Sequence, residues 1–200
     1  MLWPMPSGPP KQFDPDRAID DARDVFWSLG VAGASVAALE EATGVGRKSL
    51  YDTFGDKEDL FRLALGRYVE TVIQRMCDGL IRPDRSAMEN LERVLGKLAS
   101  HHGSRDSHGC LLGLTMSERG PDRGDEVVLV RSALRRLETS FRSAVETAQG
   151  DGSIRSSIDA NDAARALVAL TQGMALLGRA GAPRASLQGA VRATLAGLRS

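Results

Sequence analysis

Apolar residues recur every three or four positions along most of the chain after residue 13. This spacing is the period of an amphipathic helix, and no segment shows the alternation that is typical of a half-buried strand. The first apolar stripe consists of six residues: Ala18, Ile19, Ala22, Val25, Phe26 and Leu29. The pattern predicts an all-α protein of about nine helices, with no internal repeat.

Capping signals give the expected bounds of these helices. Asp14 and Pro15 open the first helix, because proline at the first helical position sacrifices no hydrogen bond. Gly30 is expected to end that helix in a left-handed conformation. Asp56 is expected to cap a long helix that reaches about Leu80. The later helices are predicted over about 86–99, 110–118, 124–149, 160–180 and 183–198, with a polar loop over 101–109.

The most informative stretch covers residues 34–54, which are expected to form two short helices around a glycine turn. Gly44 tolerates the positive φ that such a turn needs. Leu50 and Phe54 lie four positions apart and share one face of the second helix, so that its charged residues lie on another face. This layout predicts a helix-turn-helix, in which the second helix enters the major groove of DNA. An ordinary helical hairpin is the alternative.

The run SLYDTFGDKEDLF, residues 49–61, resembles the signature of TetR-type transcriptional regulators. Residues 13–47 are similar to the first two helices of that family. The resemblance implies an N-terminal helix-turn-helix DNA-binding domain over residues 13–64. It also implies a C-terminal helical bundle over residues 65–200 that senses a ligand and forms the dimer.

The resemblance further implies which residues contact DNA. They are Ser35, Gly46, Arg47, Lys48, Ser49, Tyr51, Thr53 and Lys57. The Tyr51 hydroxyl and the Lys57 ammonium are expected to contact phosphates, the latter together with the amides that open its helix. Two features depart from the family pattern. Gly46 lacks the hydroxyl that relatives often carry, and Glu40 and Glu41 make the first helix of the motif acidic.

Composition modifies this picture only slightly. The 26 arginine and lysine residues equal the 26 aspartate and glutamate residues, so a DNA-binding surface must be local. Residues 1–12 hold four of the eight prolines and are predicted to be a disordered arm. Two cysteines without a CxxC pair are typical of a reducing cytosol. We find no signal peptide and no apolar run of about 20 residues. The sequence therefore predicts a cytoplasmic protein with no membrane contact.

A second group of residues with possible chemistry lies in the middle of the chain. His101, His102, His108 and Cys110 fall within ten residues, but their spacing fits no zinc motif. We therefore expect no metal and no cofactor, and interpret the group as solvated histidines beside a buried thiol. Two alternatives stay open at this point. They are a small helical enzyme and a thiol-based redox sensor, each of which would use Cys110.

The remaining expectations concern a ligand and a partner. A pocket for a small, largely apolar effector is expected around Met76, Cys110, Leu114 and Phe141. A dimer interface on the last two helices is expected to include Leu167, Leu170, Met174, Leu177, Val191 and Leu195. Together these features predict a regulator that binds a palindromic operator as a homodimer, commonly as a repressor, and is released by its effector. A monomeric protein–protein adaptor is the remaining alternative.

Overall fold

The computed structural model describes residues 13–121 and 124–199. The predicted arm over residues 1–12 therefore lies outside the described residues. Apart from one isolated bridge between Ile154 and Arg199, the described ranges contain no β-structure. Their helices are α1 (Pro15–Gly33), α2 (Val36–Thr43), α3 (Arg47–Phe54), α4 (Lys57–Tyr68), a π-helical segment (Val69–Ile73), α5 (Gln74–Leu80), α6 (Ala87–His102), α7 (Leu111–Arg119), α8 (Gly124–Gly150), α9 (Ala160–Arg179) and α10 (Arg184–Leu198). The all-α prediction is confirmed.

Helix α1 packs along α4 and forms the core of the N-terminal part of the chain. The Asp14 side chain accepts hydrogen bonds from the first amides of α1, as its capping role predicts. Phe26 on α1 and Phe61 on α4 are both fully buried, with their ring centroids 5.2 Å apart in an edge-to-face arrangement. Two such aromatic side chains fill a small interior efficiently. They hold α1 and α4 together as a platform for α2 and α3.

Gly30 breaks α1, although in a different way from the prediction. Its φ of 74° is positive as expected, but its ψ of 173° lies outside the left-handed helical region. Essentially only glycine adopts this combination of φ and ψ. The chain then continues for one further turn to Gly33. A side chain at Gly30 would overlap the carboxylate of Glu118 on α7, which accepts a hydrogen bond from the Val31 amide at 2.9 Å. The kink therefore joins α1 to α7.

Alanine at Gly30 is expected to destabilise the protein more than alanine at Gly44. Both glycines have positive φ, but a Cβ at Gly44 meets no atom within 4 Å. Gly44→Ala should therefore lower the free energy of unfolding by about 1 kcal/mol through backbone strain alone. Gly30→Ala should cost about 1–3 kcal/mol more, because it also displaces Glu118 from the Val31 amide. Urea unfolding of both variants measures the difference, and equal costs would contradict the proposed closeness of α1 and α7.

One nearly continuous helix over residues 57–80 connects the N-terminal helices to the rest of the chain. It begins with a reciprocal capping box between Asp56 and Asp59. Its middle widens into the π-helical segment, where the Val69 carbonyl accepts a hydrogen bond from Arg136 of α8 at 3.2 Å. If the three segments are counted as one helix, the described residues contain nine helices, as predicted. None of these helices is long and apolar enough to cross a membrane.

Helix α6 extends farther than predicted. Its last residues are His101 and His102, so the connecting loop begins at Gly103 rather than at residue 101. The sequence suggested a loop because both residues are polar, but His102 is only 5% exposed. Gly178 of α9 explains this burial, because a Cβ there would overlap the His102 backbone. The glycine lets α9 approach the end of α6 and cover the imidazole.

Burial of His102 makes stability depend on pH. It lowers the pKa of this imidazole to about 4, with a smaller contribution from His101. The unfolded chain therefore binds this proton at a higher pH than the folded chain. Above about pH 6.5 the imidazole is neutral in both states and does not lower stability. As the pH drops towards 4, the free energy of unfolding falls by roughly 1–3 kcal/mol. Urea unfolding from pH 7 to 4 should show this loss. His102→Gln should reduce it, whereas His108→Gln, at an exposed position, should not.

The predicted dimer residues lie mainly in the core of the protomer, which corrects the prediction. Four of the six are at most 5% exposed and pack against the protomer's own helices: Leu167, Met174, Val191 and Leu195. Leu170 is half-buried, and Leu177 alone is fully on the outside, at 52% exposure. The apolar residues of α9 lie on two faces, so their identity does not tell which face turns inward.

Candidate nucleic-acid interface

Helices α2 and α3 form the predicted pair around a tight turn. Ser35 caps α2 by accepting a hydrogen bond from the Ala38 amide at 3.1 Å. Gly44 ends α2 with a φ of 66° and a ψ of 14°, the left-handed conformation that the turn prediction required. The Thr43 hydroxyl closes the turn, because it donates to the Leu39 carbonyl and accepts from the Val45 amide. The turn geometry predicted from the sequence is confirmed.

Helix α3 is held from one side only. Leu50 is 1% exposed, and Phe54 is half-buried with its ring 6.1 Å from that of Phe13. The opposite flank is open, because Arg47, Lys48 and Ser49 are exposed and Tyr51 and Thr53 are partly exposed. A helix anchored in this way presents polar and cationic side chains to a partner without unfolding.

The charges on this flank interact with each other. The Lys48 ammonium lies 2.5 Å from the Asp52 carboxylate, one turn further along α3. This hydrogen bond is the main reason that the pKa of Lys48 is raised above its ordinary value. The Arg47 guanidinium lies 5.7 Å from the centre of the Tyr51 ring. The exposed pair Lys48–Asp52 is weak enough to exchange for a stronger anion.

Glu40 accounts for one of the two departures from the family pattern. Gly46 precedes α3 without a side chain that could cap it. The Glu40 carboxylate accepts a hydrogen bond from the Arg47 amide at 2.6 Å instead. The acidic residue of α2 thus stabilises the start of α3, where a negative charge is favourable. This contact could not be predicted from the sequence, because the two residues lie seven positions apart across the turn.

Lys57 is oriented differently from the expectation for a residue that binds only phosphate. Its ammonium donates to the carbonyls of Val31 and Ala34, at 3.0 and 3.2 Å. These carbonyls belong to the last turn of α1 and to the connection that follows it, so Lys57 ties the end of α1 and this connection to the start of α4. One of its three N–H groups remains for another acceptor. A phosphate contact of Lys57 therefore stays a prediction.

Comparison with known proteins identifies the family. The family model described as "Bacterial regulatory proteins, tetR family" matches residues 18–64. The model described as "Tetracyclin repressor-like, C-terminal domain" matches residues 87–194, which is more than half of the chain. The chain belongs to the TetR family of transcriptional regulators. This confirms the resemblance seen in the sequence and assigns the chain to DNA-binding regulators rather than to enzymes.

Individual relatives agree with this assignment. The HTH-type transcriptional repressor ComR of Escherichia coli K12 is 32% identical over 176 residues, which cover 88% of this chain and 84% of ComR. The repressor BdcR of the same organism is 34% identical over 106 residues, about half of either chain. A cysteine mutant of the TetR-family regulator CifR, solved in complex with 26-bp double-strand operator DNA, is 30% identical. The structural match to this CifR mutant has a TM-score of 0.78 and covers 96% of this chain and all of the CifR chain.

In this TetR-family protein, polar contacts connect the N-terminal helices to the C-terminal ones. The Trp27 indole of α1 donates to the Gly109 carbonyl at 2.9 Å. Arg62 of α4 pairs with Glu126 of α8 at 3.0 Å, and Arg119 of α7 pairs with Glu58 of α4. Two of these contacts join α4 to α7 and α8, and the third joins α1 to the residues before α7. They hold the helices that support α2 and α3 against the C-terminal part of the chain.

The predicted ligand-pocket residues differ in burial, and a pocket around them stays a prediction. Phe141 is fully buried in the core, and Leu114 and Cys110 are partly buried. Met76 lines a groove of about 1090 Å³ that none of the other three borders. Apolar residues at helical spacing fill cores as well as pockets, so the sequence pattern does not separate the two.

Cys110 and His101 lie beside two aromatic side chains, Tyr68 and Trp27. The Tyr68 hydroxyl donates to the Cys110 sulfur at 3.7 Å, and burial raises the pKa of Tyr68 well above its ordinary value, with a smaller contribution from Cys110. Trp27 packs against Tyr68 with ring centroids 4.9 Å apart, and the ring of His101 lies 6.0 Å away. Within the described ranges, no three histidine, cysteine or carboxylate side chains gather as metal ligands would.

Proposed function

We propose that this TetR-family protein is a homodimeric repressor that binds a palindromic operator and is released by a small molecule. The observation that carries the proposal is the open cationic flank of α3 on its buried Leu50 anchor. Arg47, Lys48, Ser49, Tyr51 and Thr53 provide donors for phosphates and base edges. The relatives ComR and BdcR are named as repressors, and CifR is solved with operator DNA, which supports the same activity here.

Around α3, three further groups are proposed to assist binding. Ser35 and the amides that follow it at the start of α2 can bind a phosphate, and Gly46 allows the backbone at the start of α3 to approach another. Lys57 is proposed to contribute its remaining N–H group to a phosphate while it holds the α1–α2 connection. We place the boundary between the DNA-binding domain and the bundle near residue 64, within the continuous helix over residues 57–80.

A dimer is proposed because one short helix contacts too few base pairs for specificity. Two copies of α3 need to be about 34 Å apart to enter successive major grooves. The outer face of α9 is a continuous row of small and apolar residues: Ala166, Ala169, Gly173, Leu176, Leu177 and Ala180. The outer face of α10 continues this row: Ala185, Gly189, Ala190, Ala193 and Gly197. Apart from Leu177, which belongs to both, the proposed interface lies on the other face of the two helices from the residues predicted.

Release requires an effector that binds two arrangements of the dimer with different affinity. The polar contacts from α1 and α4 to α7 and α8 supply the physical connection between an effector site and α3. The effector predicted from the sequence is small and largely apolar. An effector that changes the spacing of the two α3 helices would reduce operator affinity without touching DNA.

Selection of binding sites from a random DNA library tests the proposal without knowledge of the operator. The expected product is an inverted repeat with half-site centres one helical turn apart, bound by two protomers in sedimentation measurements. Footprinting upstream of the protein's own gene then locates the natural site. Recovery of unrelated sequences, or of single half-sites bound by monomers, would rule out the proposed mode of binding.

A further inference from the structure

A wide groove separates α1 from α5 and α6, on a part of the molecule that α3 does not border. Its volume of about 1090 Å³ is slightly above the usual range for small-molecule sites. Apolar side chains from four elements line it: Trp27, Val72, Met76, Val94 and Leu98. Trp27 and Met76 are partly exposed, so an aromatic and a thioether surface face the groove. This lining suits the apolar body of an organic molecule.

One wall of the groove is cationic. Arg93, Lys97 and His101 follow each other at intervals of four on α6, so they form a row on one face of that helix. Arg75 faces the same groove from α5. Within residues 13–121 and 124–199, no carboxylate lies within 4.0 Å of Arg75, Arg93 or Lys97. These three cations are available to a bound anion.

The carboxylates of the opposite wall are already paired. Asp20 on α1 contacts Arg23 at 2.9 Å and Arg67 at 3.3 Å, and Asp24 contacts Arg23 at 2.8 Å. Across the whole groove, six arginine and lysine side chains face four carboxylates, and two of the six, Arg82 and Arg85, pair with Asp84 outside the groove. The cations left without a carboxylate partner outnumber the remaining carboxylate, Asp78, three to one. The unbalanced charge is therefore positive and lies along α5 and α6, next to the apolar lining.

We propose that this groove binds a small organic anion whose apolar body lies on Trp27, Met76 and Leu98 and whose acidic group is held by Arg93, Lys97 and Arg75. The proposal has two halves: the groove binds this anion, and the bound anion regulates operator binding. The regulatory half rests on the proposed function, and the expected effector becomes an amphipathic anion rather than a largely apolar molecule. The bound molecule touches α1 and α6 together. It therefore changes the position of α1, and of the α2–α3 pair that α1 supports, relative to the bundle.

A fluorescent probe of matching chemistry tests the site. The probe is 8-anilinonaphthalene-1-sulfonate, an aromatic anion, and its uncharged counterpart N-phenyl-1-naphthylamine reports apolar binding alone. In a Trp3→Phe variant, Trp27 is the only tryptophan, because the chain contains two. We expect the anionic probe to bind once per protomer and to quench the Trp27 emission by energy transfer.

The charge-removing variant is Arg93→Gln with Lys97→Gln, both at exposed positions where folding is not at risk. It should weaken binding of the anionic probe about tenfold or more, because two charge-assisted contacts are lost. Binding of the uncharged probe should be unchanged. Arg135→Gln, at an exposed position on α8 away from the groove, is the matched control and should bind both probes like the parent protein.

Operator affinity, measured with and without the anionic probe, separates the two halves of the proposal. A change in operator affinity on addition of the probe that occurs in the parent protein and disappears in the double variant supports both halves. Equal binding of the anionic probe by parent and double variant, or no quenching of Trp27, overturns the site. Quenching without a change in operator affinity overturns the regulatory role. Absence of operator binding by the ligand-free protein overturns the proposed function, while the quenching measurement still decides the site.

Discussion

Alanine at both Arg47 and Lys48 is expected to abolish specific operator binding at physiological salt while leaving the fold intact. Both side chains are exposed, and neither contributes to the buried core. In a dimer each substitution removes two contacts with DNA, one in each half-site. Loss of four such contacts should reduce operator affinity by at least about 100-fold. Fluorescence anisotropy with the selected operator measures this loss.

The salt dependence of binding distinguishes a phosphate contact from a base contact. If Lys48 binds a phosphate in each half-site, Lys48→Ala alone should reduce the slope of log affinity against log salt by about 1.8. The Asp52 partner would then be left without its cation, an exposed arrangement of small consequence for stability. Arg135→Ala, an exposed change on α8, is the control and should alter neither affinity nor slope. Unchanged operator affinity in the double variant would remove α3 as the DNA-reading helix.

The sequence predicted the helix-turn-helix better than it predicted the contacts that support it. The spacing of Leu50 and Phe54 identified the buried face of α3, because residues four apart share a face whatever surrounds them. The contacts of Glu40 with the Arg47 amide and of Lys57 with two carbonyls were not predictable. They join residues across turns and between helices, so they depend on tertiary positions that no periodicity records.

The predicted interface was wrong for a related reason. Helix α9 carries apolar residues on both faces, with Leu167 fully buried and Leu176 70% exposed. Periodicity shows that a helix has an apolar stripe, but two stripes leave the inward one undetermined. The same ambiguity applies to Phe141, which is fully buried and is predicted to line a ligand pocket. Only the packing of neighbouring helices decides between these alternatives.

Glutamate at Leu176 and Leu177 is expected to convert the protein to a monomer. These side chains are 70% and 52% exposed in the protomer, so charging them should not disturb its core. At a twofold interface the double substitution brings four carboxylates into an apolar contact, where unpaired charges are strongly unfavourable. The dimer dissociation constant should rise by at least about 100-fold. Sedimentation equilibrium at micromolar concentration measures it.

The consequence for DNA binding follows from geometry. A monomer presents one α3 and therefore one half-site, so the variant should lose specific operator affinity although its own α3 is unaltered. Val128→Glu is the matched control, because Val128 of α8 is 63% exposed and lies outside the proposed interface. It should remain dimeric and bind the operator like the parent protein. If the Leu176 and Leu177 variant stays dimeric while Val128→Glu dissociates, then the outer face of α8, rather than that of α9, mediates self-association.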